Sequence, residues 1–122
     1  MKKINYISAA NKAANIQLRE LKKIKKVFNK SFVNAVDLIV NCKGKIIFSG
    51  VGKNSFICKK AAATFSSVGI PSFFVDPTGV SHGDAGQIEK KDILVIISNS
   101  GNTAELINLL KFANRFRIKI IG

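Results

Sequence analysis

Three hydroxyl side chains, Ser98, Ser100 and Thr103, fall within the stretch Ser98-Asn99-Ser100-Gly101-Asn102-Thr103. The apolar run Ile93-Leu94-Val95-Ile96-Ile97 precedes it. After it, over residues 103–116, Leu106, Leu109, Leu110 and Ala113 recur at helical spacing. A strand that turns on a glycine into a helix presents, at the turn, the helix's unpaired N–H groups and the positive end of its dipole. Hydroxyls beside those amides make an anion cradle, and a phosphate fits it without any lysine. A plainer reading is open as well: Ser100 or Asn102 is the N-cap, and Glu105 completes an Asn-x-x-Glu capping box.

A second loop, Ser49-Gly50-Val51-Gly52-Lys53-Asn54-Ser55, also joins an apolar segment to a helical pattern. It is not a P-loop, which needs Gly where Ile47 stands and Ser or Thr at Asn54. Nor is it a dinucleotide fingerprint, because Ser55 occupies the place of the third glycine and no acidic ribose partner follows at the expected distance. It remains a flexible turn that directs Lys53 towards the edge carrying residues 98–103, unless Lys53 is a solvated surface lysine. His82, in Ser81-His82-Gly83-Asp84, is the chain's single imidazole, and its glycine-flanked loop speaks against a buried structural role. With Asp84 alone it falls short of a metal site. Asp76, before Pro77, starts a turn.

These loops need a frame. Apolar segments at residues 46–49, 72–75, 93–97 and 118–121 are rich in β-branched or aromatic residues and read as four strands. Helical patterns lie between the first two, over residues 55–68, and between the last two. A longer stripe, Ala14, Leu18, Leu21, Ile24, Phe28, Phe32, Val36 and Ile39, precedes the first strand; Asn29, Lys30 and Ser31 are where it would bend or divide, and Gly44 stops it. Strands that are apolar throughout, alternating with helices, predict an α/β fold with a parallel sheet covered on both faces and wound in two directions. The link over residues 76–91, with Pro77, Gly79, Gly83 and Gly86, reads as loop.

The 122 residues suit one domain. Its expected parts are an N-terminal helical region, residues 1–43, and an α/β core, residues 44–122. A hydrophobic content of 47% argues against disorder, and the longest apolar run is far too short to span a membrane. Lys2 and Lys3 do not open a signal peptide, since Asn5, Asn11 and Lys12 interrupt the apolar core it would need. Cys42 and Cys58 read as two reduced thiols, which predicts a cytoplasmic protein. The net charge of +13 raises nucleic acid as a partner, yet no helix-turn-helix, zinc finger or RNA-binding aromatic signature accompanies it. Lys22, Lys23, Lys25 and Lys26 instead alternate with Leu21, Ile24, Val27 and Phe28 as the solvated face of an amphipathic helix.

Together the motifs resemble a known family. Ser98-Asn99-Ser100-Gly101-Asn102-Thr103 is similar to the Ser-x-Ser-Gly-x-Thr phosphate loop of sugar isomerase (SIS) domains. Gly50-Val51-Gly52-Lys53, Pro71-Ser72-Phe73-Phe74-Val75 and Ser81-His82-Gly83-Asp84 resemble, more narrowly, the D-arabinose 5-phosphate isomerases. The resemblance runs from about Cys42 to the last residue. It implies a flavodoxin-like doubly wound sheet, a sugar phosphate held at the strand ends, and interconversion of D-ribulose 5-phosphate and D-arabinose 5-phosphate for lipopolysaccharide synthesis.

The resemblance also carries roles onto residues. Lys53 and Glu105 become the catalytic pair: a carboxylate shuttles a proton between C1 and C2 through an enediol while a lysine stabilises oxyanion charge. Ser98, Asn99, Ser100, Gly101 and Thr103 become the phosphate ligands, Gly52, Asn54 and His82 further substrate contacts. No cofactor is required, although a divalent metal at His82 is one implied use of that residue. The partners implied are a sugar phosphate and further copies of the chain, as a homotetramer, with neither nucleic acid nor membrane.

Departures accompany it. The family domain continues with another strand, further helices and a second catalytic glutamate and histidine, then regulatory domains, so the chain reads as a truncated SIS domain lacking its C-terminal part. Asn54 replaces the usual serine, and Asn102 the common acidic residue. A non-catalytic phosphosugar-binding module or inactive remnant is therefore the alternative to an active isomerase.

Overall fold

Where both faces of a strand are covered, its residues are apolar or have their polar groups paired, and the two central strands obey this: Ser49, which ends the first of them, is their one polar residue. The structure is a computed structural model that describes residues 5–122, Ser81 by its backbone alone. Lys2 and Lys3, where a signal peptide would begin, lie outside the described residues. Strands β1 (Ile46–Ser49), β2 (Ser72–Phe74), β3 (Ile93–Ile96) and β4 (Lys119–Ile121) form one parallel sheet in the order β2-β1-β3-β4. Along β1 and β3, Ile46, Phe48 and Ile93 pack with Cys58 and Ala62, on the helix Lys53–Ser67. Ile47 and Leu94 point to the other face and pack with Leu109 and Ala113, on the helix Ala104–Arg115.

The helices follow from local chemistry. The Asn5 side chain accepts the Ser8 amide at 3.0 Å and caps α1 (Tyr6–Lys23). The apolar stripe then tightens into a 3₁₀ turn, Ile24–Val27. Asn29 Oδ1 accepts the amides of Ser31 at 2.8 Å and Phe32 at 3.3 Å, which restarts the helix as α2 (Lys30–Val40). The division expected at residues 29–31 is thus present, built by an asparagine cap. By contacts the chain forms two compact units, Met1–Val36 and Asp37–Gly122. In the second, Leu38 and Ile39 pack beside α3 (Lys53–Ser67) and β1, while α4 (Ala104–Arg115) covers the opposite face. No helix among the described residues is long and apolar enough to cross a membrane.

The link over residues 76–91, expected as loop, is partly helical. It carries two 3₁₀ helices, Pro77–His82 and Asp84–Gln87. Asp76 is the cap: its carboxylate accepts the Thr78 amide at 3.0 Å and the Thr78 hydroxyl at 2.8 Å, with Pro77 pre-set at the first helical position. Turns this short leave no periodic trace in sequence. Val80 and Ile88 pack into the core beneath α4.

Candidate functional site

The chain leaves β1 through α3 on one face to reach β2, and leaves β3 through α4 on the other face to reach β4. Winding therefore reverses between β1 and β3, which are hydrogen-bonded neighbours. At such a reversal the connecting loops diverge and leave a crevice beyond the strand ends, the usual ligand site of open α/β sheets. The two loops singled out in sequence are the ones that leave these strands. Their bases touch: the Ile97 amide donates to the Ser49 carbonyl at 3.0 Å, one step beyond the ladder.

In the loop after β3, the Gly101 amide donates to Ser98 Oγ at 2.9 Å and the Asn102 amide to Ser100 Oγ at 3.3 Å. Each hydroxyl thus accepts from backbone and keeps its own proton to give to a ligand. Gly101 has φ +65°, a left-handed conformation that glycine adopts freely. The N-cap of α4 is Thr103, and no side chain caps the helix. Ser100 and Asn102 are therefore not its cap, because Ser100 Oγ is engaged inside the turn, and the box with Glu105 does not form. The amides of the first turn of α4 stay open to an anion. Ser98 and Thr103 are half-buried, Asn99, Ser100 and Gly101 exposed, and Glu105 lies half-buried in that first turn.

The loop after β1 ends at Gly52, with φ +61°, which begins α3 without a side-chain cap. Ser55 donates its amide at 3.0 Å and its hydroxyl at 2.7 Å to the Gly52 carbonyl. Lys53 is the first residue of α3 and exposed; Asn54 is half-buried behind it. A cation at a helix N-terminus opposes the dipole, and a bound anion relieves that opposition. Two helix N-termini and an ammonium group thus open on the same edge of the sheet.

Sequence reasoning passed over Ser49. It is fully buried at the end of β1, and its hydroxyl donates to the Val75 carbonyl at 2.9 Å, tying the ends of β1 and β2 together. A lone hydroxyl closing a buried apolar strand was the available signal. Beside the phosphate-loop candidate, a cavity of about 200 Å³ has Ser98 and Gly101 at its polar end and Ile96, Leu106 and Leu110 behind them.

His82 ends the 3₁₀ helix Pro77–His82 and is exposed. Among the described residues no three His, Cys, Asp or Glu side chains converge to hold a metal ion. His82 and Asp84 do not make a divalent-cation site by themselves. Hydrogen bonds from the Thr78 amide and hydroxyl hold Asp76 below the ordinary aspartate range.

Comparison with known proteins identifies relatives of the same fold. The family model described as SIS domain matches residues 38–122. Arabinose 5-phosphate isomerase KdsD of Pseudomonas aeruginosa is 37% identical over 119 residues, covering 98% of this chain and 36% of its own length. Arabinose 5-phosphate isomerase GutQ of Salmonella typhi is 41% identical over 100 residues, 82% of this chain and 31% of its own. The solved structure of E. coli CFT073 c3406 in complex with arabinose 5-phosphate superposes with a TM-score of 0.80 at 36% identity, covering 96% of this chain and 64% of that one. The chain spans about a third of the length of the curated relatives it matches.

Proposed function

Since this chain belongs to the SIS domain family, we propose that it binds a pentose 5-phosphate in the crevice between β1 and β3. The observation that carries this reading is the junction of the two loops at the winding reversal, with an uncapped α4 N-terminus beside three hydroxyls. The phosphate takes protons from Ser98, Ser100 and Thr103 and from the amides around Gly101, with Asn99 alongside. Gly52 and Asn54 line the sugar side, and His82 contacts substrate from the connection between β2 and β3. No cofactor takes part.

The chemistry suited to this arrangement is that of the arabinose 5-phosphate isomerases. Glu105, in the first turn of α4, moves a proton between C1 and C2 of the open-chain sugar, where a nearby helix N-terminus favours negative charge. Lys53 balances the oxyanion that develops on the carbonyl as the enediol forms. We place the protein in the cytoplasm, in keeping with its two free cysteines. We also propose that copies associate, since Val40, Phe56, Ile57 and Val68 leave large apolar surfaces exposed.

Calorimetry with D-arabinose 5-phosphate and with unphosphorylated D-arabinose tests the binding. Only the phosphorylated sugar is expected to bind, and Ser98→Ala, Ser100→Ala and Thr103→Ala combined should remove that binding. Equal affinity for both sugars sinks the proposal. Turnover is tested separately: Lys53→Ala and Glu105→Gln should each lower the rate by about 10²- to 10⁴-fold while the phosphate still binds. An unchanged rate in either variant removes that residue's role. Sedimentation of a monomer across the micromolar range would rule out association.

A further inference from the structure

The opposite edge of the sheet, where the strands begin, carries a second charged recess. A cavity of about 240 Å³ there is lined by Lys43, Lys90, Lys91 and Lys119, with Cys42 and Asp92 among its walls. Asp92 is buried at 1% exposure and does not serve these lysines. Its Oδ1 accepts the Lys45 amide at 2.8 Å and its Oδ2 the Glu89 amide at 2.8 Å, while Lys45 Nζ stands 3.5 Å from Oδ2. Glu89 is shared between Lys45 and Lys91, each at 3.1 Å.

Both carboxylates are thus committed to Lys45, Lys91 and the backbone. Among the described residues none lies within ion-pair distance of Lys43, Lys90 or Lys119. The C-terminus of α2 just before Lys43 offers partial negative charge to one cation. That leaves an excess of positive charge around a concave space, on a rigid frame: Lys119 opens β4, and buried Asp92 pins residues 89–92 to the entrance of β1. Low-dielectric walls focus such a field into the recess. A flat basic face would suit a polymer, whereas this recess has room for one small molecule.

From this arrangement we infer that the recess is a second anion site, for a small molecule carrying two phosphate groups. It lies at the other end of the strands from the crevice between β1 and β3, and does not depend on the function proposed for that crevice. Such a ligand is bound by at least three ammonium groups, so its affinity falls steeply with salt.

Titration of the full chain with inorganic pyrophosphate, against three variants, tests the inference. Binding is expected to survive Ser98→Ala, Ser100→Ala and Thr103→Ala combined, and to weaken at least tenfold with Lys43→Gln, Lys90→Gln and Lys119→Gln combined. A charge-matched control, Lys22→Gln, Lys23→Gln and Lys26→Gln on the N-terminal helices, should leave it unchanged. Circular dichroism reports whether each variant is folded, and chemical-shift changes on labelled wild-type chain give the location if a variant is not. Shifts confined to residues 41–45, 89–93 and 119 support the site. No binding by wild type, loss in the loop variant alone, or equal loss in the control overturns it. Competition by ADP or by a hexose bisphosphate then identifies the carrier of the phosphates. Displacement by neither, with displacement by an RNA oligonucleotide, overturns the small-molecule assignment.

Discussion

A β carbon built on Gly50 would stand 3.0 Å from the carbonyl oxygen of Ile97. It would also meet Cys58 Sγ at 3.0 Å and Asn54 Cβ at 3.1 Å. Glycine at this position is what lets the loop after β1 lie against the strand end of β3. Backbone on one side and a buried thiol on the other leave the added methyl little room. Gly50→Ala is therefore expected to destabilise the fold by about 1–3 kcal/mol and to weaken sugar-phosphate binding as the loops part. Urea unfolding should show a lower midpoint at unchanged slope.

Gly101 poses the opposite case. Nothing lies within 4 Å of a β carbon added there, but φ is +65°. The penalty for Gly101→Ala is conformational, roughly 1–2 kcal/mol, and falls on the loop that positions Ser98 and Ser100. Affinity for D-arabinose 5-phosphate should drop about tenfold while the urea midpoint moves little. A large loss of stability with unchanged affinity would contradict this.

At acid pH Asp76 should be visible. Its carboxyl is held below the ordinary range by the Thr78 amide, then by the Thr78 hydroxyl. A depressed carboxylate stabilises the fold above its unfolded value, near pH ~4, and that stability is lost as pH falls through the lower folded value. Asp76→Asn should flatten the acid limb of the stability curve below about pH 4 and leave alkaline behaviour unchanged. Thermal melts from pH 2 to 7 measure it.

Arg117 is the one described residue other than glycine with positive φ, at 55°, just after α4. There the Ile118 amide donates to the Ala113 carbonyl at 2.9 Å, and the Arg117 amide to the Asn114 carbonyl at 3.1 Å, closing the helix end. Glycine is the preferred residue in that closure. Arg117→Gly is expected to raise stability by about 0.5–1 kcal/mol, the relief of strain exceeding the added freedom of the unfolded chain. A lowered melting temperature would count against it.

The frame was legible because burial on two faces leaves an unmistakable trace. Residues 46–49 read as a strand and are one, since Ile46, Ile47 and Phe48 have no polar face to offer. The helix read at residues 55–68 begins two residues earlier, at Lys53, because the left-handed Gly52 rather than a polar cap starts it. The 3₁₀ helices at Pro77–His82 and Asp84–Gln87 went unread, being too short for an apolar stripe to repeat along them. Within the site, the Ser98 to Thr103 hydroxyls announced themselves by type and spacing. The use of Ser100 inside the turn did not, because it depends on Gly101 adopting φ +65°. Ser49 was hidden for a different reason: its acceptor, Val75, is brought beside it only when β1 and β2 pair.

Cys58 has no solvent exposure and packs from α3 against β1, and burial pushes its thiol up more than contact with the Ile97 backbone draws it down. Cys42 is half-buried, its thiol near the Lys45 and Lys91 carbonyls at the far edge of the sheet. The chain thus contains two natural reporters of breathing, one under each end of β1. An alkylating reagent reaches Cys58 only when α3 lifts, so its labelling rate measures that opening directly. A sugar phosphate bridging the loops above should slow that labelling, and a ligand in the lysine recess should protect Cys42 instead, so one mass spectrum separates the two occupancies.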